Sequence, residues 1–409
     1  MNIDSIVLLT KDAFCTEYLP CYGNMYWKGK TPNIDELANR GIVYTRFYTA
    51  APSSAMAYLS MFTGHYPHEL DIETFEPLKH SYDGNTLFDK ANELGFQTHV
   101  MWDKGWMSGA YKYSLCYGKN TTMHIMDGLG QSVGAQFVHE GILKPNDEKS
   151  RNVLATIDRE LQMMTQSNHK IFLWFHVPHV INGRVCYGSD MDVFDQIVGL
   201  LRLYFSDNNI YISADHGNMN GYKGKLGYGF DVHDSAVRIP LISPVKPNSV
   251  SANSLLCNID FFSILFGGNI PLREFVYTDS AYYGQPNREL GIVHGKYKYI
   301  YNKRENKEYL YDTEYDPTER FNLIADSIYD SDRGVQLPSR EEFLYPYWDE
   351  LPGIREKLKN EKSRIWKEST NKQKFIGWIK IKTRPFRERM IIWKKKRLYS
   401  KEQRRGNIK

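Results

Sequence analysis

Three short, uninterrupted apolar runs constrain this chain more than any other feature. They are Ile6-Val7-Leu8-Leu9 between Ser5 and Thr10, Ile171-Phe172-Leu173-Trp174-Phe175, and Ile210-Tyr211-Ile212 between Asn209 and Ser213. A strand with one wet face alternates polar and apolar residues, whereas a run that is apolar at every position needs cover on both faces, as central strands of a parallel sheet do. Helical segments carry their own start and stop signals. Thr31-Pro32-Asn33-Ile34-Asp35-Glu36-Leu37-Ala38 places Thr before Pro and acids in the first turn, and Thr86 to Leu94 ends at Gly95 before a strand from Gln97 to Trp102. In open α/β sheets ligands bind beyond the carboxyl ends of the strands. This chain places its reactive side chains there: Lys11-Asp12, Asp103-Lys104, His176-Val177-Pro178-His179 and Ala214-Asp215-His216-Gly217.

With 409 residues the chain can bury one large α/β core plus a smaller unit. No apolar run approaches the length of a membrane span, and Met1-Asn2-Ile3-Asp4 lacks a basic start followed by an apolar segment, so a cytoplasmic location is expected. The five cysteines (Cys15, Cys21, Cys116, Cys186, Cys257) are odd in number and scattered, which suits reduced thiols. The 29 tyrosines fit a surface that handles carbohydrate, and equally fit Tyr-rich strands. No internal repeat is present.

The stretch Ala50-Ala51-Pro52-Ser53-Ser54-Ala55-Met56-Ala57-Tyr58 to Thr63-Gly64 runs from a Pro-broken loop into a small-residue helix. Unpaired N–H groups and the positive dipole end of a helix start make a seat for a tetrahedral anion, although a Ser there can simply be an N-cap. Asp215 and His216 side by side after an apolar strand suit a divalent cation, with Gly217 allowing a tight turn.

These motifs, in this order, resemble the sulfatase branch of the alkaline phosphatase superfamily. The family nucleophile lies nine residues before a Thr-Gly pair, and counting back from Thr63 gives Ser54. Sulfatases follow a Cys or Ser destined to become formylglycine with Pro or Ala two residues on and Arg four residues on. Here Met56 and Tyr58 stand at those places, so Ser54 reads as an unmodified alkoxide nucleophile, as in alkaline phosphatases. At the first strand end the family has two Asp, and here Lys11 replaces the first. The segment 31–44, the region Phe230 to Ile242 with Arg238-Ile239-Pro240, and the hairpin pattern from Gly291 to Leu323 resemble the family as well. The likeness covers about residues 5–325. It implies a three-layer α/β/α sandwich with a largely parallel central sheet (1–265) and a small C-terminal antiparallel β subdomain (266–330); beyond it lies a charged, strongly basic C-terminal extension (331–409).

The resemblance also implies site roles. Asp12, Ser54, Asp215 and His216 would hold one divalent ion (Mn, Mg, Zn or Ca), which activates the Ser54 hydroxyl for attack and gives a covalent intermediate. His176, His179 and His233 are candidate proton donors. Lys104 and Lys225 are candidate substrate-binding cations. The preferred function is a phosphoester hydrolase or phosphotransferase acting on a phosphorylated or lipid-linked sugar. A true sulfatase acting on a sulfated carbohydrate is the alternative, and an inactive sulfatase-like scaffold a third.

Charge is unevenly distributed. Residues 371–409 carry 15 Lys+Arg against 2 acidic residues, in a chain whose formal net charge is +4. Trp378, Phe386 and Trp393 interleave with those charges, so the tail is expected to meet an anionic membrane surface, at the inner face. Nucleic acid is the rival partner on charge alone, but the core carries no nucleic-acid-binding motif.

Overall fold

The structure, a computed structural model, describes residues 5–23, 30–70, 82, 84–103, 120–126, 148–166, 169–178, 187–219, 222–225, 227–244, 250–280, 289–303, 305–325, 329–330, 335–336 and 345–366. Lys104, His179 and the basic tail lie outside these residues.

The three apolar runs become β1 (Ile6–Lys11), β6 (Ile171–Val177) and β7 (Ile210–Ala214). β1 lies between the other two and pairs parallel with both. β4 (Gln97–Asp103) and β5 (Thr122–Met126) extend the parallel sheet beyond β6. On the other side β8 (Leu241–Ser243) and β2 (Ile42–Val43) are added antiparallel, giving the seven-strand order β2-β8-β7-β1-β6-β4-β5. Val7, Leu8, Leu9, Phe172, Leu173 and Trp174 are completely buried, as uninterrupted apolar runs require.

Helices cover both faces. Against one face lie α2 (Ser54–Thr63) and α3 (Leu87–Glu93), where Tyr58, Phe62 and Phe88 pack edge-on against Trp174. Against the other lies α5 (Tyr187–Tyr204), whose Phe194 meets Phe14 and Lys11. α4 (Glu148–Thr165) and α1 (Pro32–Arg40) pack beside α5. The α3 start signal forms a capping box: Asp89 N–H donates to Thr86 Oγ1 while Thr86 N–H donates to Asp89. At α1 the expected cap is replaced. Thr31 donates to the Asp35 side chain, and Asp195 of α5 accepts the Ile34 and Asn33 backbone N–H groups at 2.9 and 3.3 Å.

The C-terminal hairpin pattern folds as an antiparallel sheet of β10 (Val276–Asp279), β11 (Glu289–His294), β12 (Tyr297–Asn302) and β13 (Lys307–Asp312). Helix α8 (Leu351–Ile365), which falls within the charged stretch after residue 330, buries Leu351 and Leu358 in the same hydrophobic cluster as this sheet. That cluster includes Met219, Val232 and Ala236, so the segment following β7 packs against the antiparallel sheet. One buried ion cluster bridges the seam: Lys298 of β12 meets Asp234 at 2.5 Å and Glu319 at 2.9 Å.

Candidate active site

Ser54 is the first residue of α2, and its hydroxyl is buried with 2% exposure. Ser53 occupies the N-cap position with extended backbone but makes no side-chain cap. The first helical bond runs from Ala57 N–H to Ser53 C=O, so the N–H groups ahead of it stay available to an anion.

Facing Ser54 are the ends of β1 and β7. Asp12 follows β1 and is anchored by its own N–H to Val177 C=O at 2.9 Å. Asp215 and His216 follow β7, and all three side chains are completely buried. Asp215 Oδ1 accepts the Ala13 N–H at 3.1 Å and the His216 N–H at 2.7 Å. The His216 Nδ1–H donates to the Gly217 carbonyl at 2.8 Å, an assignment that leaves Nε2 with its lone pair exposed to the cluster. Around Nε2 lie Ser54 Oγ at 3.0 Å, Asp215 Oδ2 at 3.4 Å and Asp12 Oδ1 at 3.5 Å. Tyr228 covers the imidazole, ring centroids 4.3 Å apart. The turn needs Gly217, because a Cβ there would sit 2.0 Å from the Ser235 carbonyl oxygen.

Two carboxylates with no exposed surface converge here. Burial pushes the Asp215 carboxyl up to about 6, His216 pulls partly against that and Asp12 adds to it. Asp215 Oδ2 is buried without a hydrogen-bond donor. An orphaned carboxylate oxygen, a second carboxylate and an imidazole lone pair within 4.8 Å of one another form a donor set that fits a divalent cation.

Of the sequence-predicted site residues, Asp12, Ser54, Asp215 and His216 are brought together. Of the rest, His176, Lys225 and His233 fall within the described residues, each with partners of its own. His176 points into the core below Ser54, one helical turn along α2: Tyr58 Oη lies 2.6 Å and Thr10 Oγ1 3.0 Å from its Nδ1, and Trp102 and Trp174 pack around it. His233 pairs with Asp231, and its Nε2 lies 3.2 Å from the Tyr311 hydroxyl. Lys225 is bound to the other oxygen of Asp231. Met56 and Tyr58 are both completely buried. The Ala13 amide and the Gly217 carbonyl, which orient the acidic and imidazole donors, carry no side-chain signal. Tyr228 had none either.

The sequence matches the Sulfatase family over residues 4–265. The Ulvan-active sulfatase of Formosa agariphila is 24% identical across 76% of this chain and 74% of that protein. Among solved structures, a 2-O GAG sulfatase superposes with a TM-score of 0.62 at 15% identity, covering 89% of this chain and 92% of that one. The phosphonate monoester hydrolase of Agrobacterium radiobacter gives 0.60 at 12% identity, covering 89% and 96%. With the family matched over most of the chain, the protein belongs to the sulfatase family of hydrolases within the alkaline phosphatase superfamily.

Proposed function

We propose that this chain is a metal-dependent phosphoester hydrolase or phosphotransferase acting on a glycan, with Ser54 as an unmodified nucleophile. The observation that supports it is the Ser54 hydroxyl at the open start of α2, 3.0 Å from His216 Nε2 and facing Asp12 and Asp215. A divalent ion held by Asp12, Asp215, His216 and Ser54 would supply Lewis acidity and offset the charge that develops on the serine oxygen. Ser54 loses its proton to solvent, and its oxygen attacks phosphorus. The Ser54 O–P bond forms as the bond to the glycan oxygen breaks, and water or an acceptor hydroxyl then releases the phosphoryl group from Ser54. The first-turn N–H groups of α2 bind the phosphoryl oxygens throughout. His176, His179 and His233 are the candidate donors to the departing oxygen; His176 lies against Tyr58, and His233 against Asp231 and Tyr311.

Phosphorus is preferred because Tyr58 stands where a sulfate-holding Arg would, with its hydroxyl turned onto His176. Sulfate-ester hydrolysis on a carbohydrate is the second reading, favoured by the relatives named as ulvan-active and GAG sulfatases. A metal-supplemented screen against aryl phosphate monoesters, aryl phosphate diesters and aryl sulfates separates the two, with Ser54→Ala as the control. Phosphoester turnover abolished in the control supports the proposal. Turnover confined to aryl sulfates, or wild-type rates in Ser54→Ala, contradicts it. The basic stretch 371–409 is proposed to contact anionic membrane, and the full chain should co-sediment with anionic vesicles where a chain ending at Thr370 does not.

A further inference from the structure

We infer that the cavity walled by segments 16–23, 222–238 and 317–319 is a second, non-catalytic binding site, which takes one neutral, polyhydroxylated ring of the sugar type. Its volume is about 300 Å3, at the lower end for small-molecule sites and enough for a single sugar ring. The first segment follows β1, the second lies between β7 and β8, and the third follows β13, so the cavity sits at the seam where ligand sites concentrate. The inference depends neither on the metal-dependent reading above nor on the choice between phosphorus and sulfur.

Arg238 and Glu17 carry the argument. Both line the cavity, and each leaves most of its hydrogen-bonding capacity unused. The Arg238 guanidinium touches Asp234 Oδ2 at 3.5 Å, and its Nε is buried without a hydrogen-bond partner. Among the described residues it donates no hydrogen bond, although a guanidinium has five N–H groups to give. The Glu17 carboxyl has only a 3.5 Å contact from Thr16 Oγ1. Burial pushes that carboxyl up, with Arg238 pulling against it. The two signs of charge decide the ligand class. A cation bound here would meet Arg238. An anion would meet Glu17 and, beside it, Asp234 and Glu319, two carboxylates that Lys298 holds from behind at 2.5 and 2.9 Å. Hydroxyl groups both donate and accept, so a neutral polyol satisfies Glu17 and Arg238 together without adding charge. Tyr22 has its hydroxyl bound to the Tyr44 carbonyl and the Leu241 N–H at 2.9 and 2.8 Å, so it adds ring surface to the wall, against which the C–H face of a sugar can pack. The Arg238 side chain keeps 28% exposure, which opens the cavity to solvent.

The test titrates the full chain with methyl glycosides of neutral hexoses and pentoses, followed by saturation-transfer NMR, with glucuronic acid and glucosamine as the charged comparisons. A neutral glycoside should bind with a Kd in the millimolar range, more tightly than either charged sugar. Glu17→Leu, which removes the acceptor, and Thr318→Trp, which fills the cavity from its partly exposed wall, should each weaken binding by about tenfold and leave aryl-ester turnover at Ser54 unchanged. A photoreactive derivative of the bound glycoside should label peptides covering 16–23 or 317–319 in the wild type, a readout that does not depend on the variants folding. Absence of binding across the panel, tighter binding of either charged sugar, undiminished binding in both variants, or labelling confined to the neighbourhood of Ser54 overturns the inference. Each of these results leaves the reaction proposed at Ser54 standing, because none of them measures it.

Discussion

Tyr58 is the residue at which the family pattern and the packing of this chain disagree most usefully. One turn after Ser54, its hydroxyl meets His176 and its ring lies against Phe62, Trp102 and Trp174, with no exposed surface. Restoring the family side chain by Tyr58→Arg would place a guanidinium in that aromatic enclosure. Desolvating a charge there should cost about 3–5 kcal/mol, so the variant is expected to unfold earlier in denaturant and to gain no aryl-sulfatase activity. A stable Tyr58→Arg protein with new sulfatase activity would mean that this position faces the substrate. The neighbouring serine is different. Ser54 has no packing duty comparable to that of Tyr58, and removing its hydroxyl forfeits about 1 kcal/mol of hydrogen bonding to His216.

At the scale of elements, the β4–β5 edge carries a chain of side chains outside the active site. Glu160 of α4 accepts from His124 Nδ1 at 3.0 Å, and His124 Nε2 lies 3.0 Å from His99 Nδ1. Burial, with His124 beside it, lowers the His99 pKa to about 4. The sign follows directly. Between that value and the ordinary 6.5 the unfolded chain binds the proton that the folded chain refuses, so stability is full at neutral pH and falls as pH drops through this window. Discounted for solvent screening, the loss should be on the order of 1–2 kcal/mol by pH 4. Urea unfolding of wild type and His99→Gln at pH 7 and pH 4.5 checks it, and equal pH dependence in the two proteins would rule it out. This chain of groups was not legible in the sequence, because His99 and His124 fall on separate strands and read as isolated histidines. The ends of β1 and β7 were legible because an apolar run stops abruptly at a carboxylate. The same uninterrupted runs hide which way a side chain points: β6 is buried on both faces, so nothing in its pattern told that His176 turns down onto Tyr58. Likewise Thr31 looked like the cap of α1, while the carboxylate that performs the task comes from Asp195, 161 positions from Ile34.

For the whole molecule, the two sheets are joined through a buried ion cluster as well as through apolar packing. Lys298 is shared by Asp234 and Glu319, and Glu319 also accepts the Asp234 N–H at 2.6 Å. Although burial pushes the Asp234 carboxyl up, Lys298 and Arg238 more than offset it and hold the group below the usual carboxylate range. Lys298→Met would remove the cation shared by two buried carboxylates, leaving Asp234 with Arg238 alone, and should destabilise by about 3 kcal/mol in denaturant melts. Combining it with Asp234→Asn and Glu319→Gln should recover much of the loss, and no recovery would show that the lysine acts through packing. The seam lies directly behind the Asp215–Gly217 turn, since the Gly217 and Asn218 amides bond to the carbonyls of Ala236 and Ser235 beside Asp234. Strand-end chemistry, an open helix start and a clamped turn thus converge on one serine. Tandem mass spectrometry of the Ser54 peptide, from resting protein and from metal-loaded protein acid-quenched during turnover of an aryl phosphate, tests that convergence most directly. The account predicts unmodified serine at rest and a phosphoryl group on Ser54 in the quenched sample; formylglycine at position 54, or a phosphoryl group on another residue, would contradict it.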